Sequence, residues 1–539
     1  MAKPKDTSVC QLCIENPLDE SDAISWIRCD ICRQWLHTIC ANIPTSQLGK
    51  IASYHCAECE ADHGPSHMKR QLKRARVKID YVALDQGEVF AVDKSEHPHV
   101  STFLAFEPEA DRGKKLSYID IVSAEELTKH YVLSTELPKP VLVPNADNGE
   151  SGMELPCARE NITVAYITEK TGNDEPVEVM DVLSQQSESP GWNLGQWRKY
   201  FYTDAMDRDR IRNVISLEVS EVEDLGKSFL RPEMVRQMDL VDKVWCDSDG
   251  NNQKRPKVTV YCLMSVAGSY TDFHIDFSGT PVYYTVCLGT KTFLMYPPSE
   301  DNLLLFKLWC QEPQQNFMWF GDYSKRIRGK KMKPSNGFRV NLHKGDLFII
   351  PSGWIHSVHT PKDAVIIGGN YLTLRDVPMH LKIYNIEKET RVPAKYRFPM
   401  FNKVLWLTSW YYFNHKDEFL ADTGLNLGKR ETAQYLVNQE SNQYLVNPDV
   451  KQEYAIKTEH ETIYLAQEIN DDTKEPESTS DNDKRRMILE SMIAHLKEHY
   501  ETSKTKPVAR KSIPFALIGK SIPEYLEKLE NWAKEYQTI

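Results

Sequence analysis

The run Thr271-Asp-Phe-His274-Ile-Asp276-Phe-Ser-Gly-Thr280 decides the fold of this chain. It lies between Tyr261-Cys-Leu-Met-Ser-Val266 and Val282-Tyr-Tyr-Thr-Val286, two stretches that read as strands. Side chains alternate along a strand, so His274 and Asp276 are expected on one face. An imidazole and a carboxylate placed this way make two thirds of a facial triad, the donor set of non-haem Fe(II) oxygenases. The third ligand must come from a distant strand. Pro351-Ser-Gly-Trp-Ile-His356, after the run Asp346-Leu-Phe-Ile-Ile350, supplies His356. Three protein ligands on one side of an octahedral ion leave room for the two inner oxygens of a 2-oxo acid and for dioxygen. The far carboxylate of 2-oxoglutarate then needs a cation. Lys291, on the next strand after a turn at Leu288-Gly-Thr290, is the candidate, and Thr271 can add a hydroxyl donor. A His-x-Asp alone is as readily a strand histidine satisfied by its neighbour; Lys291 and the Gly-Trp-Ile-His356 context favour metal. His359, three residues beyond His356, is expected to face the other way and not to ligate.

The segments Thr271–Tyr284, Lys291–Pro298 and Ile350–Asn370 resemble the JmjC domain of histone lysine demethylases, most closely the fungal form of the JmjC-domain histone demethylase 1 family. Arg208-Asp-Arg-Ile-Arg-Asn-Val-Ile-Ser-Leu-Glu218 and Arg231-Pro-Glu-Met-Val-Arg-Gln-Met-Asp-Leu-Val-Asp-Lys-Val-Trp245 extend the likeness, which covers most of residues 155–400. It implies a double-stranded β-helix, a jelly-roll or cupin-like barrel, with flanking helices. His274, Asp276 and His356 become the catalytic Fe(II) ligands, and Lys291 and Thr271 the partners of the 2-oxoglutarate carboxylate. Tyr284 matches a position lining the co-substrate pocket; Asn213 and Asn370 match polar positions near the metal. The implied reaction removes a lysine methyl group as formaldehyde while 2-oxoglutarate becomes succinate. Mono- and dimethylated lysine 36 of histone H3 is the implied substrate. An animal group with the same domain order prefers lysine 9 or 27 of H3 and lysine 20 of H4, and a catalytically silent chromatin reader is the remaining alternative. The chain has no CxxCxxC DNA-binding zinc motif of the kind the animal lysine-36 enzymes carry.

A length of 539 residues predicts two to four domains. The net charge of −11 gives no global field for nucleic acid, so any such contact must be local. No stretch approaches 18 uninterrupted apolar residues, and the polar start Met-Ala-Lys-Pro-Lys-Asp lacks the apolar core of a secretory leader, so no membrane partner is expected. Seven of the 12 cysteines fall in the first 60 residues and the rest are scattered, as in a reducing compartment.

Those seven, with one histidine, form the pairs Cys10-x2-Cys13, Cys29-x2-Cys32, His37-x2-Cys40 and Cys56-x2-Cys59. Four pairs fill two closed tetrahedral zinc sites, one from Cys10, Cys13, His37 and Cys40 and one from Cys29, Cys32, Cys56 and Cys59. The interleaving resembles the cross-brace of a PHD finger. Trp26 and Trp35 flank the second pair, where methyl-lysine-reading fingers place the walls of an aromatic cage, and such a finger would read a histone H3 tail. The alternative for Trp35 is an ordinary place in the small core. Six basic residues without an acid in Met68-Lys-Arg-Gln-Leu-Lys-Arg-Ala-Arg-Val-Lys78 suit nuclear import, and residues 69–78 could touch DNA on a nucleosome.

The expected organisation is a PHD-type finger over 7–62, a basic linker over 63–80 and a mixed segment packing on the barrel over 81–154. The JmjC domain follows over 155–376, a helical extension over 377–465, an acidic disordered linker over 466–484 and helices over 485–539. Helices are expected at Ala124–Tyr131, Met379–Glu389 and Phe401–Phe413, and a basic surface loop at Lys325–Lys333. A last helix opens at Ser521 with Ile522, Tyr525, Leu526, Leu529, Trp532 and Tyr536 along one stripe, read as core rather than a docking face.

Overall fold

The computed structural model describes residue 10, residues 26–68 apart from 42, 44–47 and 49–50, and residues 96–536 apart from 111–117, 147–148, 189, 246–253, 424–480 and 520. Cys13, the basic segment 69–78 and most of the acidic linker therefore lie outside the described residues. The chain divides into two units, Met1–Asp93 and Lys94–Ile539.

In the first unit Trp26–Arg28 pairs antiparallel with Trp35–His37, Ile51–Ser53 pairs with His67–Met68, and Ala57–His63 is a short helix. The pairing of His67–Met68 carries the finger past its expected end at residue 62. His55 helps to hold that return, because its backbone N–H donates to Ser66 Oγ at 2.9 Å and its Nδ1 bonds the Gly64 carbonyl at 2.7 Å. Among the described residues six form the core here, and three of them are cysteines: Cys10, Ile27, Cys29, Leu36, Tyr54 and Cys56.

The second unit is built on two long strands, Val282–Tyr296 and Ile355–Asn370, which pair with each other along nearly their whole length. Each bends and serves two neighbours. Val282–Thr285 meets Leu347–Ile350 and Thr290–Met295 meets Phe338–His343. Likewise Ala364–Gly368 meets Tyr261–Ser265, while His356–His359 meets Tyr270–His274. Two strands shared by two layers in this way make the expected jelly roll. The expected turn at Leu288-Gly-Thr290 is instead a bend inside one strand. Gly289 allows it with φ +78, and a Cβ there would lie 2.0 Å from the Asp363 carbonyl oxygen. The sheet also begins earlier than residue 155, because Val141–Val143 adds antiparallel to Leu347–Ile349.

Helices cover the sheet ends. Val377–Glu389, Phe401–Asn414 and Asp481–Thr505 pack with Ile522–Lys534 around the fully buried Trp406 and Trp532. Ile522, Tyr525, Leu526, Leu529 and Trp532 are all buried in that core, as the stripe reading expected. Ser521 stands at the N-cap without a side-chain bond, and Pro523 at the start of this helix has no N–H to give. Two boundaries shift. The helix expected at Ala124–Tyr131 runs over Lys129–Thr135, capped by Thr128 accepting from the Tyr131 N–H at 3.1 Å. The helix Asp481–Thr505 starts four residues inside the expected linker, where Asp481 and Asp483 suit its positive first turn. The basic loop is a hairpin, Lys325–Ile327 with Lys330–Met332, turned by Arg328 and Gly329 at positive φ. No helix among the described residues is long and apolar enough to cross a membrane.

Candidate active site

His274 closes the strand Tyr270–His274, directly opposite His356 on Ile355–Asn370. Their ring centroids are 4.3 Å apart. His274 Nδ1 bonds the Asp272 carbonyl at 2.8 Å and His356 Nδ1 bonds the Trp354 carbonyl at 3.1 Å. A carbonyl only accepts, so both rings carry their proton on Nδ1 and keep a lone pair on Nε2. Asp276 lies just past the strand end rather than on it, but its backbone stays extended at φ −57, ψ 150. Its Oδ1 accepts from Asn370 Nδ2 at 3.1 Å, and its Oδ2 faces His356 Nε2 at 3.7 Å. Burial holds His356 neutral by pushing its pKa down to about 4. A lone pair and a carboxylate oxygen thus face each other, which a cation between them would satisfy. Two imidazoles and one carboxylate fit ferrous iron.

The loop after Asp276 is clasped by the helix Val377–Glu389. Ser278 has φ 49, and its N–H donates to Glu387 Oε1 at 2.6 Å while its carbonyl accepts from His380 Nδ1 at 3.0 Å. A Cβ on neighbouring Gly279 would meet Ile383 at 2.7 Å, so the helix rests directly on this backbone.

Lys291 is 3% exposed and donates to Ser265 Oγ at 2.6 Å and Thr360 Oγ1 at 2.8 Å. Burial alone pushes its ammonium down to about 7. Ser265 donates on to Asn213 Oδ1 at 2.6 Å, and Asn213 Nδ2 donates to Thr271 Oγ1 at 3.3 Å. Lys291 and Thr271, named from the sequence for the co-substrate, and Asn213, named as a polar position near the metal, are therefore members of one connected polar chain. Thr271 joins it through a register slip between Thr271 and His274, since strict alternation would put the two on opposite faces. Tyr284 is buried, its ring edge-on to Phe293 at 5.2 Å, and Phe293 lies 5.8 Å from the His356 ring. His359 pairs opposite Tyr270 and packs toward Phe103, on the other side of the strand from Thr360. Sequence reasoning missed Ser265 and Thr360, because strand hydroxyls carry no spacing signal.

It also missed a second group. His97, His99 and Asp272 each offer one ligand atom within 4.8 Å of the others, and this donor set also fits iron. The His97-Pro-His99 spacing was the available signal.

In the finger, Cys29, Cys32, Cys56 and Cys59 gather within 4.8 Å, as do Cys10, His37 and Cys40; both groups fit zinc. Trp26, Arg28, Trp35 and His37 share one face of the hairpin. There the Trp26 ring sits 4.0 Å from His37, and the Arg28 guanidinium stands 5.7 Å over Trp35. A cavity of about 770 Å³ lies elsewhere in the second unit, lined by Glu300, Asp301, Arg328, Lys330, Met332 and Glu389 among others.

A family profile described as a cupin-like domain matches residues 135–373, and one described as a Jumonji helical domain matches residues 375–473. The cupin-like match implies use of iron and 2-oxoglutarate. Several similar fungal proteins carry the name JmjC domain-containing histone demethylation protein 1. That of Debaryomyces hansenii is 53% identical over 98% of this chain and 99% of its own length. The Candida albicans protein is 46% identical over 99% of this chain and 98% of its own length. The Saccharomyces cerevisiae protein is 37% identical over 78% of this chain and 90% of its own length.

Proposed function

This chain belongs to the JmjC domain-containing histone demethylation protein 1 family, and we propose on that premise that it is an Fe(II)- and 2-oxoglutarate-dependent histone lysine demethylase. The observation that carries the reading is the pairing, in one barrel, of the His274–Asp276–His356 donor set with a buried lysine whose partners are hydroxyls. His274, Asp276 and His356 would hold the iron, which when bound couples decarboxylation of 2-oxoglutarate to oxidation of an N-methyl carbon. Asn370 orients Asp276 by occupying one carboxylate oxygen. Lys291, still with an N–H to give, would pair with the distal carboxylate of 2-oxoglutarate, and Thr271, Asn213 and Tyr284 would shape the same pocket. Apolar walls from Phe293 and Tyr284 keep water from that pair.

The substrate we assign is the H3 tail methylated once or twice at lysine 36, with formaldehyde and succinate as products. The finger would hold an H3 tail through Trp26 and Trp35, and the chain would act on nucleosomes in the nucleus. Mass spectrometry of nucleosomes methylated at lysine 36, 9 or 27 of H3 or at lysine 20 of H4, with iron and 2-oxoglutarate added, tests this. Loss of methyl groups at lysine 36 with one formaldehyde per succinate is expected; loss confined to another site would reassign the substrate. His274→Ala should release no formaldehyde while keeping its fold, and full turnover by that variant would overturn the iron assignment.

A further inference from the structure

His97 and His99 precede the helix Val100–Leu104 and are 2% and 6% exposed; Asp272, on the strand that ends in His274, is 8% exposed. His99 Nδ1 stands 3.5 Å from Asp272 Oδ1. Neither ring nitrogen of His99 has a hydrogen-bond partner, and neither has Asp272 Oδ2. Leaving a buried polar atom unsatisfied costs about 1–3 kcal/mol, so three in one spot need an explanation. The other groups here are already committed. Asp272 Oδ1 accepts from Tyr270 OH and from the Phe273 N–H, each at 2.9 Å, and the His97 ring stacks on Tyr270 at 4.8 Å. His97 Nδ1 accepts the His99 N–H at 3.2 Å, a long contact that ligation through this nitrogen would replace. Trp319 closes the group beside His99, its ring 5.5 Å away.

We propose that His97, His99 and Asp272 form a second site for a divalent transition metal, zinc or ferrous iron, separate from His274, Asp276 and His356. One bound cation would satisfy the orphaned carboxylate oxygen and the His99 ring together, and two imidazoles with one carboxylate are ligands both ions accept. Its place suggests a positioning role. The Asp272 side chain enters this group, while the Asp272 carbonyl takes the Nδ1–H of His274. A metal on the side chain would therefore stiffen the peptide that aims His274. The site stands whether or not the chain is a demethylase, because it draws only on these three residues.

The test uses the full chain carrying His274→Ala, so that no metal is retained by the other histidine site. A mercurial first displaces metal held by thiolates, and elemental mass spectrometry then counts what remains and says whether it is zinc or iron. About one equivalent is expected to stay bound, falling to below a tenth of an equivalent when His99→Ala is added. Less than a tenth of an equivalent in the His274→Ala chain itself would overturn the proposal and leave the group as a buried His–Asp contact without metal. Metal kept in full after His99→Ala is added would overturn it equally. Should His99→Ala fail to fold, the count in the His274→Ala chain decides alone.

Discussion

Among the described residues of the finger, three of the six in the core are cysteines of the zinc-type groups, and Ile27, Leu36 and Tyr54 are the rest. In the barrel, His274, Asp276 and His356 stand on or beside strands already buried on both faces, with their protons and orientations fixed by Asp272, Trp354 and Asn370. Three buried apolar side chains supply roughly 5–9 kcal/mol, against about 1–2 kcal/mol for each ordered backbone residue. The finger would therefore take its shape from bound zinc, whereas the barrel would offer iron a donor set already held in place.

Chelation should separate the two most widely. Structural zinc contributes roughly 10–16 kcal/mol in such small domains, so a strong chelator should unfold residues 26–68 and leave the barrel standing. Hydrogen exchange reads this directly: amides of Trp26–Arg28 and Trp35–His37 should lose all protection while those of Ile355–Asn370 keep theirs. Protected finger amides after zinc removal would break the contrast.

Lys291→Ala comes next. It would leave the far carboxylate of 2-oxoglutarate buried without a cation, a loss of about 3–5 kcal/mol. The apparent KM for 2-oxoglutarate should rise on the order of 10²–10³-fold with that for peptide nearly unchanged; the reverse pattern would remove Lys291 from the co-substrate site. The wild-type lysine also sets a pH signature. Its free-state pKa is pushed down to about 7 by burial, so above that pH a proton must be taken up before the carboxylate is paired. Affinity for 2-oxoglutarate should fall by up to about tenfold per pH unit above 7, and titrations in buffers of different ionisation enthalpy should show the proton entering.

A smaller effect tests how far the barrel's pre-arrangement matters. Asn370→Ala frees Asp276 Oδ1 without touching a ligand atom. Losing such an outer partner costs about 10–100-fold in metal affinity, so activity should drop at limiting iron and recover with excess. Activity independent of iron concentration would show that Asp276 needs no support.

The smallest test lies in the finger. Arg28 already stands over Trp35, where a methylated ammonium would sit, and a cation there is worth about 0.5–2 kcal/mol. Arg28→Ala should tighten binding of a methylated H3 tail a few-fold, and Trp26→Ala should weaken it about tenfold. Titration calorimetry with tails of increasing methylation checks both; affinity indifferent to methylation would return the two tryptophans to structural duty.

The two regions were also unequally legible in the sequence. Pairs such as Cys29-x2-Cys32 are local, so spacing alone exposed them, whereas the equally local His274-x-Asp276 needed Lys291 and the Gly-Trp-Ile-His356 context before it read as a metal site. The stripe from Ile522 to Trp532 was legible for the same reason, since helical periodicity is local too. Contacts made by the path of the chain were not. Val141–Val143 is too short to show a period, yet it completes the sheet edge beside Leu347–Ile349. The bend at Gly289 looks like a turn until the strand beyond it is seen to continue. Thr271 is expected at the co-substrate although simple alternation sets it on the face opposite His274; the slip in register resolves that.

The two bent strands also set where this chain can tolerate a change of length. Val282–Tyr296 carries Tyr284 and Lys291, and Ile355–Asn370 carries His356, Thr360 and Asn370. One inserted residue between His356 and Thr360 would turn Thr360 from Lys291 and carry Asn370 out of step with Asp276, disabling both halves of the site at once. The turn at Arg328 and Gly329, in the exposed hairpin loop between Lys325 and Met332, carries no such coupling. Insertions should be lethal to activity in the former and nearly silent in the latter, so drift in chain length should collect in that loop.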